Sequence, residues 1–243
     1  MKKENAVNFL LFSYFGIILE NSKDDIISAA INRAYRDAAS HVLSLKDDSK
    51  KDTEKGKKLF ADACDCIEKF INDVLTNGTQ NKLNENENEY DEKHQDLSKK
   101  LKEMYSKCTN SGYEFSYGIA QKWVNMTMKY LGVILTIFSE YNNTHDFVNT
   151  YKNSFQAIEH YLHVPIDGYI LEYVSNKKYS NVEAIDIDKK ENNNNLAWSK
   201  YEEENYKTLQ NNIKNKFIKE KTSPLDWENK AWIEVAKSKK RVQ

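Results

Sequence analysis

The chain has 243 residues, with 36 basic and 37 acidic side chains and a formal net charge of −1. This balance excludes proteins that bind nucleic acid or an anionic membrane through a strong overall charge, so any contact with a polyanion must be local. Hydrophobic residues make up 40% of the sequence, whereas only 7 glycines and 2 prolines are available for turns. Because the apolar residues recur at spacings of three and four, we predict an all-α protein.

The cysteines indicate the compartment. Cys64, Cys66 and Cys108 are odd in number, and they lack the two-residue gap and the second pair of a zinc site. We therefore expect reduced thiols in a cytoplasmic protein, with no metal and no other cofactor. The apolar run over residues 7–19 is too short to span a bilayer and lacks a small-residue cleavage site, so it predicts a buried helix and no membrane association.

Helical periodicity predicts about eight helices in a single globular domain that covers residues 1–243. The second helix is expected over residues 24–45, with Ser22 as its cap. The last helix is expected to have Pro224 at its first position and to bury Trp232. Three polar segments are predicted to be loops, near residues 46–58, 77–95 and 186–197.

The segment over residues 117–138 is apolar nearly all round, which is typical of the central helix of a globular protein. Its few polar or small residues are spaced by three and four, so they form one narrow stripe along the helix. Two interpretations remain open: the stripe is the side that reaches water, or it is the wall of a cleft. The stripe consists of Lys122, Asn125, Lys129, Gly132 and Thr136.

A second informative segment runs from His163 to Asp167. Pro165 fixes the backbone just ahead of Asp167, at the point where a new helix is expected to begin. Asp167 is therefore either an N-cap, which is a common structural role of aspartate, or an acid positioned for chemistry. His160 and His163 could share a helix face, but no third ligand is near them in the sequence, so we do not predict a metal site.

Motifs that are missing exclude several classes. The chain has no phosphate-binding P-loop, no GxGxxG and no HExxH, which disfavours P-loop hydrolases, Rossmann oxidoreductases and helical zinc proteases. The remaining candidates for chemistry are Lys122, whose amine could lose solvation at the edge of an apolar helix, and Asp167. Arg33, Arg36 and Lys129 are candidate phosphate ligands. For the arginines the alternative is an ion pair with Asp37 or with a neighbouring helix.

Gly118-x-x-x-Lys122 at the start of one helix and Val164-Pro165-Ile166-Asp167 at the start of another resemble the helix-hairpin-helix DNA glycosylases, particularly the 8-oxoguanine glycosylases. The resemblance covers about residues 118–174, and Ser111 to Gly118 stands where that family has a glycine-rich hairpin. It implies an all-α, metal-independent DNA N-glycosylase that removes a modified or damaged base, either with or without AP-lyase activity.

In that family role, Lys122 would attack the deoxyribose C1′ and Asp167 would activate the lysine or stabilise the oxocarbenium-like state. The base would be flipped out of the DNA into a pocket lined by aromatic side chains. The residues that the resemblance offers for substrate binding are Tyr117, Gln121, Trp123, Asn125, Phe155 and His163.

An alternative stays open beside this enzyme hypothesis. The chain could be a non-catalytic all-α module that binds a protein partner, for example a bacterial or phage defence or regulatory component. Asp167 would then only cap a helix, and Lys122 would be a solvated residue on a core helix.

Overall fold

The computed structural model describes residues 1–39, 54–76, 87–106, 115–176, 179 and 197–240. Within these ranges the chain forms nine α-helices and two short 3₁₀ turns, with no strand, which confirms the all-α prediction. The 3₁₀ turns are Glu159–Tyr161 and Trp198–Lys200. The helices are α1 Lys3–Phe15, α2 Lys23–Ala38, α3 Glu54–Thr76, α4 Glu87–Ser106, α5 Tyr117–Tyr141, α6 Asp146–Ile158, α7 Gly168–Ser175, α8 Glu203–Glu220 and α9 Pro224–Lys240.

Helix α5 is the central helix, as its apolar sequence predicts. It contacts α2, α4, α6 and α8, and most of its side chains are buried. The Ser116 hydroxyl caps it by accepting a hydrogen bond from the Ile119 N–H at 3.2 Å. Polar residues on such a helix must find partners inside the protein, because water cannot reach them.

Gly118 allows a close approach at the start of α5. Its N–H donates to the Tyr201 carbonyl at 2.8 Å, and a Cβ at this position would lie only 2.1 Å from the Trp198 carbonyl oxygen. Any residue larger than glycine would therefore push away the turn that carries Trp198. This packing fixes the Trp198 side chain near the first turns of α5.

Local signals at helix ends are borne out. Ser22 and Asp25 form a capping box at the start of α2. Helix α9 begins at Pro224, and the Ser223 hydroxyl accepts from the Asp226 N–H at 3.2 Å. Helix α2 ends at Ala38 in the described ranges, and the predicted extension to residue 45 lies outside them.

The prediction of a buried helix over residues 7–19 is wrong in part. Helix α1 ends at Phe15, and Gly16 follows it with a left-handed φ of 77°. Leu11 is buried, but Phe9, Leu10 and Phe12 are 66%, 65% and 64% exposed, because the described parts of the chain cover only one side of α1.

Two of the three predicted loops are wrong where the structure describes them. Helix α3 already begins at Glu54, and α4 already begins at Glu87, inside the polar segments predicted near residues 46–58 and 77–95. The exposed charged residues of these segments include Glu54, Lys57, Lys58 and Glu92, while Tyr90 and His94 of α4 are buried. The loop predicted near 186–197 lies outside the described residues except for Ala197.

Candidate functional site

Lys122 lies on the buried surface of α5, and its side chain is unusual in having no charged partner in direct contact. The residue is 8% exposed, and its Nζ lies 4.3 Å from the centre of the Trp198 ring. Burial lowers the pKa of the Lys122 ammonium, while Asp167 is the strongest of the charges that oppose this shift. Within the described residues the ammonium forms no ion pair. Its amine is thus closer to neutrality than a surface lysine.

Asp167 caps α7, so the predicted structural role is confirmed. Its Oδ1 accepts hydrogen bonds from the Tyr169 and Ile170 N–H groups at 2.9 and 3.0 Å. Its Oδ2 accepts from the Trp232 indole Nε1 at 3.3 Å. Three N–H donors therefore fix the carboxylate, and its negative charge acts on Lys122 from a position set by two helices.

Glu228 of α9 adds a second acid that the sequence did not reveal. It is 1% exposed, and its Oε2 accepts a hydrogen bond from the Lys129 ammonium at 2.5 Å. Burial raises the pKa of Glu228, Lys129 opposes this shift, and the charge of Asp167 reinforces it. Lys122, Lys129, Asp167 and Glu228 thus influence one another, and we refer to them as the charge cluster.

Two tryptophans border the charge cluster. Trp198 contacts Lys122, and Trp232 contacts Asp167 while its ring packs 4.9 Å from that of Tyr169. Trp232 is 37% exposed, so the prediction that it is buried in the last helix is wrong. It lies at the edge of the core because its indole N–H reaches the carboxylate that caps α7.

One turn along α5 from Lys122, Asn125 belongs to a group of buried polar side chains that we call the polar network. Its Nδ2 lies 2.9 Å from the Tyr206 hydroxyl, 2.9 Å from Gln121 Oε1 and 3.3 Å from the Val164 carbonyl oxygen. The Gln121 Nε2 in turn donates to the Gly118 carbonyl at 2.7 Å. The polar network consists of His94, Gln121, Asn125, His163, Tyr206 and Gln210.

His163 links the polar network to the surface. Its Nδ1 lies 2.7 Å from the Tyr206 hydroxyl, and its Nε2 lies 2.7 Å from Asp91 Oδ1. His94 is 1% exposed; its Nε2 donates to Asn125 Oδ1 at 2.7 Å, and its Nδ1 has no hydrogen-bond partner among the described residues. Burial lowers the pKa of His94 well below 6.5, and the neighbouring His163 lowers it further.

The other residues proposed for substrate binding lie in different surroundings. Trp123 is fully buried, donates its indole N–H to the Ile31 carbonyl at 3.1 Å, and packs against aromatic rings of α2, α3 and α4. Tyr117 is buried against Tyr206. Phe155 packs over Gly132, where a Cβ would lie 2.8 Å from the ring, and lines a cavity of about 410 Å³ that also reaches Lys129.

The candidate phosphate ligands are engaged with partners in the protein. Arg33 forms an ion pair with Asp37 at 3.2 Å, the intrahelical alternative that the sequence left open, and its guanidinium lies 3.9 Å from the centre of the Tyr14 ring. Arg36, in the last turn of the same helix, also interacts within the protein. Lys129 pairs with Glu228.

Sequence reasoning missed Glu228, Asp91, His94, Trp198 and the central position of Tyr206. A signal existed for His94: Tyr90, His94, Leu97 and Leu101 follow one another at spacings of four, three and four, as the buried side of a helix requires. No comparable signal pairs Glu228 with Lys129, because the two residues are 99 positions apart.

Comparison of the chain with protein-family models, with curated proteins and with solved structures gave no significant match. Among the residues that the structure describes, no group of three or more His, Cys, Asp or Glu side chains is arranged to hold a metal ion. None of the helices in these ranges combines the length and the hydropathy that a membrane crossing requires.

Proposed function

We propose that this protein is a DNA N-glycosylase that removes a modified or damaged base, with Lys122 as nucleophile and Asp167 as the acid beside it. The observation that carries the proposal is the influence of the Asp167 charge on the Lys122 amine. They are separated by two helical segments, yet Asp167 is the foremost charge acting on the buried Lys122 amine. Their chemistry also matches the roles that the resemblance to helix-hairpin-helix glycosylases implies.

The lowered pKa of Lys122 supports a nucleophilic role, because only the unprotonated amine can attack carbon. The amine would form a bond to the deoxyribose C1′ as the bond from C1′ to the base nitrogen breaks, and the departing base would take up a proton. Asp167, fixed by three N–H donors, would stabilise the positive charge that develops on the sugar. The ring bond from C1′ to O4′ would then break, with O4′ taking a proton, which leaves a Schiff base between C1′ and Lys122. Loss of a C2′ proton would expel the 3′-phosphate and so cleave the strand.

Borohydride trapping tests this proposal. Protein is mixed with a duplex that carries a single 8-oxoguanine, and separately with the undamaged duplex, in the presence of borohydride. We expect a covalent adduct with the damaged duplex only, and none with Lys122→Gln. Lys230→Gln is the matched control, because the Lys230 side chain is 71% exposed and its one ion-pair partner among the described residues, Glu220, lies 4.0 Å away. An adduct that persists in Lys122→Gln would refute the assignment of the nucleophile.

A second candidate function, a module that binds a protein partner without catalysis, is supported by a different observation. Phe9, Leu10 and Phe12 expose apolar surface on α1. Asp167→Asn separates the two functions, because asparagine can still cap α7. A binding module should keep its unfolding temperature and its partner in this variant. A glycosylase should keep its fold but lose base release from the damaged duplex.

A further inference from the structure

The hydrogen bonds of the polar network determine where its protons lie. The Tyr206 hydroxyl is within hydrogen-bonding distance of His163 Nδ1, Asn125 Nδ2 and Gln210 Nε2, at 2.7, 2.9 and 3.2 Å. The backbone of Val164 sets the orientation of the Gln210 amide. The Val164 carbonyl oxygen can only accept, so the Gln210 atom 2.6 Å from it is the nitrogen Nε2. The Val164 N–H can only donate, so the Gln210 atom 3.2 Å from it is the oxygen Oε1. Gln210 Nε2 therefore also donates to the Tyr206 oxygen. Asn125 Nδ2, which lies 3.3 Å from the same Val164 carbonyl, is likewise a donor and shares its two hydrogens among Val164, Gln121 Oε1 and Tyr206.

Since both amide nitrogens that face the Tyr206 hydroxyl are donors, its proton is donated to His163 Nδ1, its one acceptor among the described residues. That nitrogen is consequently unprotonated, and neutral His163 carries its proton on Nε2, which donates to Asp91. The Tyr206 hydroxyl thus joins His163 to both amides that hold Val164.

The polar network clamps the segment that leads to Asp167. Val164 lies three residues before Asp167, and both its backbone polar groups bond to side chains that Tyr206 orients. Val164 and Ile166 are fully buried, and the next fixed point is the cap of α7. Asn125, one of the two amides that hold Val164, lies on α5 one turn from Lys122.

We infer that Tyr206 is a positioning residue for Asp167: its hydroxyl, together with His163, holds residues 162–167 against α5 and so sets where the Asp167 carboxylate lies relative to Lys122. The effect of Tyr206 on the reaction rests on the proposed function. Its effect on the position of the Asp167 carboxylate does not depend on that function. The titratable groups facing His163 in the described structure are Tyr90, Asp91 and His94 of α4 and Tyr206 of α8.

The test compares Tyr206→Phe with Tyr151→Phe. Tyr151 is an equally buried tyrosine whose hydroxyl donates to Asn72 Oδ1 at 2.6 Å, between α6 and α3 and away from the charge cluster. Each variant thus loses one hydroxyl and its hydrogen bonding, but only Tyr206→Phe releases the clamp on Val164. Nitrogen-15 spectra of histidine report the tautomers, and the Trp232 indole N–H signal reports the position of Asp167.

At neutral pH we expect wild-type His163 to carry its proton on Nε2. Tyr206→Phe should shift the Trp232 indole signal and allow His163 to populate both tautomers, whereas Tyr151→Phe should change neither. In single-turnover borohydride trapping at saturating DNA, Tyr206→Phe should slow adduct formation by roughly 10- to 100-fold without weakening DNA binding, because the acid is misplaced.

The inference is overturned if wild-type His163 carries its proton on Nδ1, or if the Trp232 signal in Tyr206→Phe coincides with the wild type. It is also overturned if Tyr206→Phe and Tyr151→Phe form the borohydride-trapped adduct at the same rate. If the wild type forms no adduct with any damaged duplex, the proposed function fails. The histidine and indole spectra then decide the structural claim by themselves.

Discussion

Removing the Lys129 side-chain charge tests how much the buried ion pair between Lys129 and Glu228 contributes to the free energy of unfolding. Lys129→Met keeps most of the apolar stem but takes away the only direct partner that the described structure gives to Glu228. The carboxylate would remain on a residue of α9 that is 1% exposed. An unpaired buried charge is unfavourable because it has lost water without gaining a counter-charge.

The burial of both partners sets the size of the effect. The Lys129 and Glu228 side chains are 14% and 2% exposed and lie 2.5 Å apart, so the pair is not a surface salt bridge worth about 1 kcal/mol or less. Breaking a buried pair by removing one partner costs about 3–5 kcal/mol. Replacing both residues, as in Lys129→Met with Glu228→Leu, should recover most of this loss, because no charge then stays buried.

Chemical denaturation at several pH values measures this prediction. Burial already raises the pKa of Glu228 above 4.5, and the loss of Lys129 removes the first force that opposes the shift. The folded variant then holds a proton that the unfolded chain releases, so its stability deficit should grow as the pH rises above about 4.5 and shrink in acid. A deficit below about 1 kcal/mol at pH 7, or a double variant as unstable as the single one, would refute the reasoning.

Three further predictions follow from single positions. Gly118→Ala should lower the unfolding temperature, with a loss of about 1–3 kcal/mol from the clash with Trp198, whereas Gly168→Ala should be tolerated because no atom lies within 4 Å of its added Cβ. Gly16→Ala should cost about 1 kcal/mol, measured by denaturation, because φ is 77° there. Burial lowers the pKa of His94, so the free energy of unfolding should fall as the pH drops below about 6.5, by up to roughly 1.4 kcal/mol per pH unit. In His94→Gln this part of the fall in unfolding free energy should be absent.

The sequence predicted the features that depend on neighbouring residues. Helix caps are local, so Ser22, Ser223 and Asp167 could be assigned from the residues that follow them. The all-round apolar character of α5 likewise identified the central helix without any knowledge of its neighbours.

The predictions failed where distant elements decide the environment. The polar composition of residues 87–95 suggested a loop, because a composition average hides the periodic placement of Tyr90 and His94 on one buried side. Phe9 and Phe12 suggested a buried helix, but no other element of the described structure covers that side of α1. Neither outcome could be predicted from periodicity alone, because a side of a helix is buried only where another element packs against it.

The polar stripe of α5 explains how such distant elements are brought together. Lys122 contacts Trp198, Asn125 contacts Tyr206 and Val164, and Lys129 pairs with Glu228 of α9. Apolar packing alone tolerates small shifts of one helix along another, whereas hydrogen bonds and ion pairs in a dry interior are satisfied in only one register. The stripe therefore fixes where four later parts of the chain dock on the central helix, and the same four contacts determine the surroundings of the Lys122 amine.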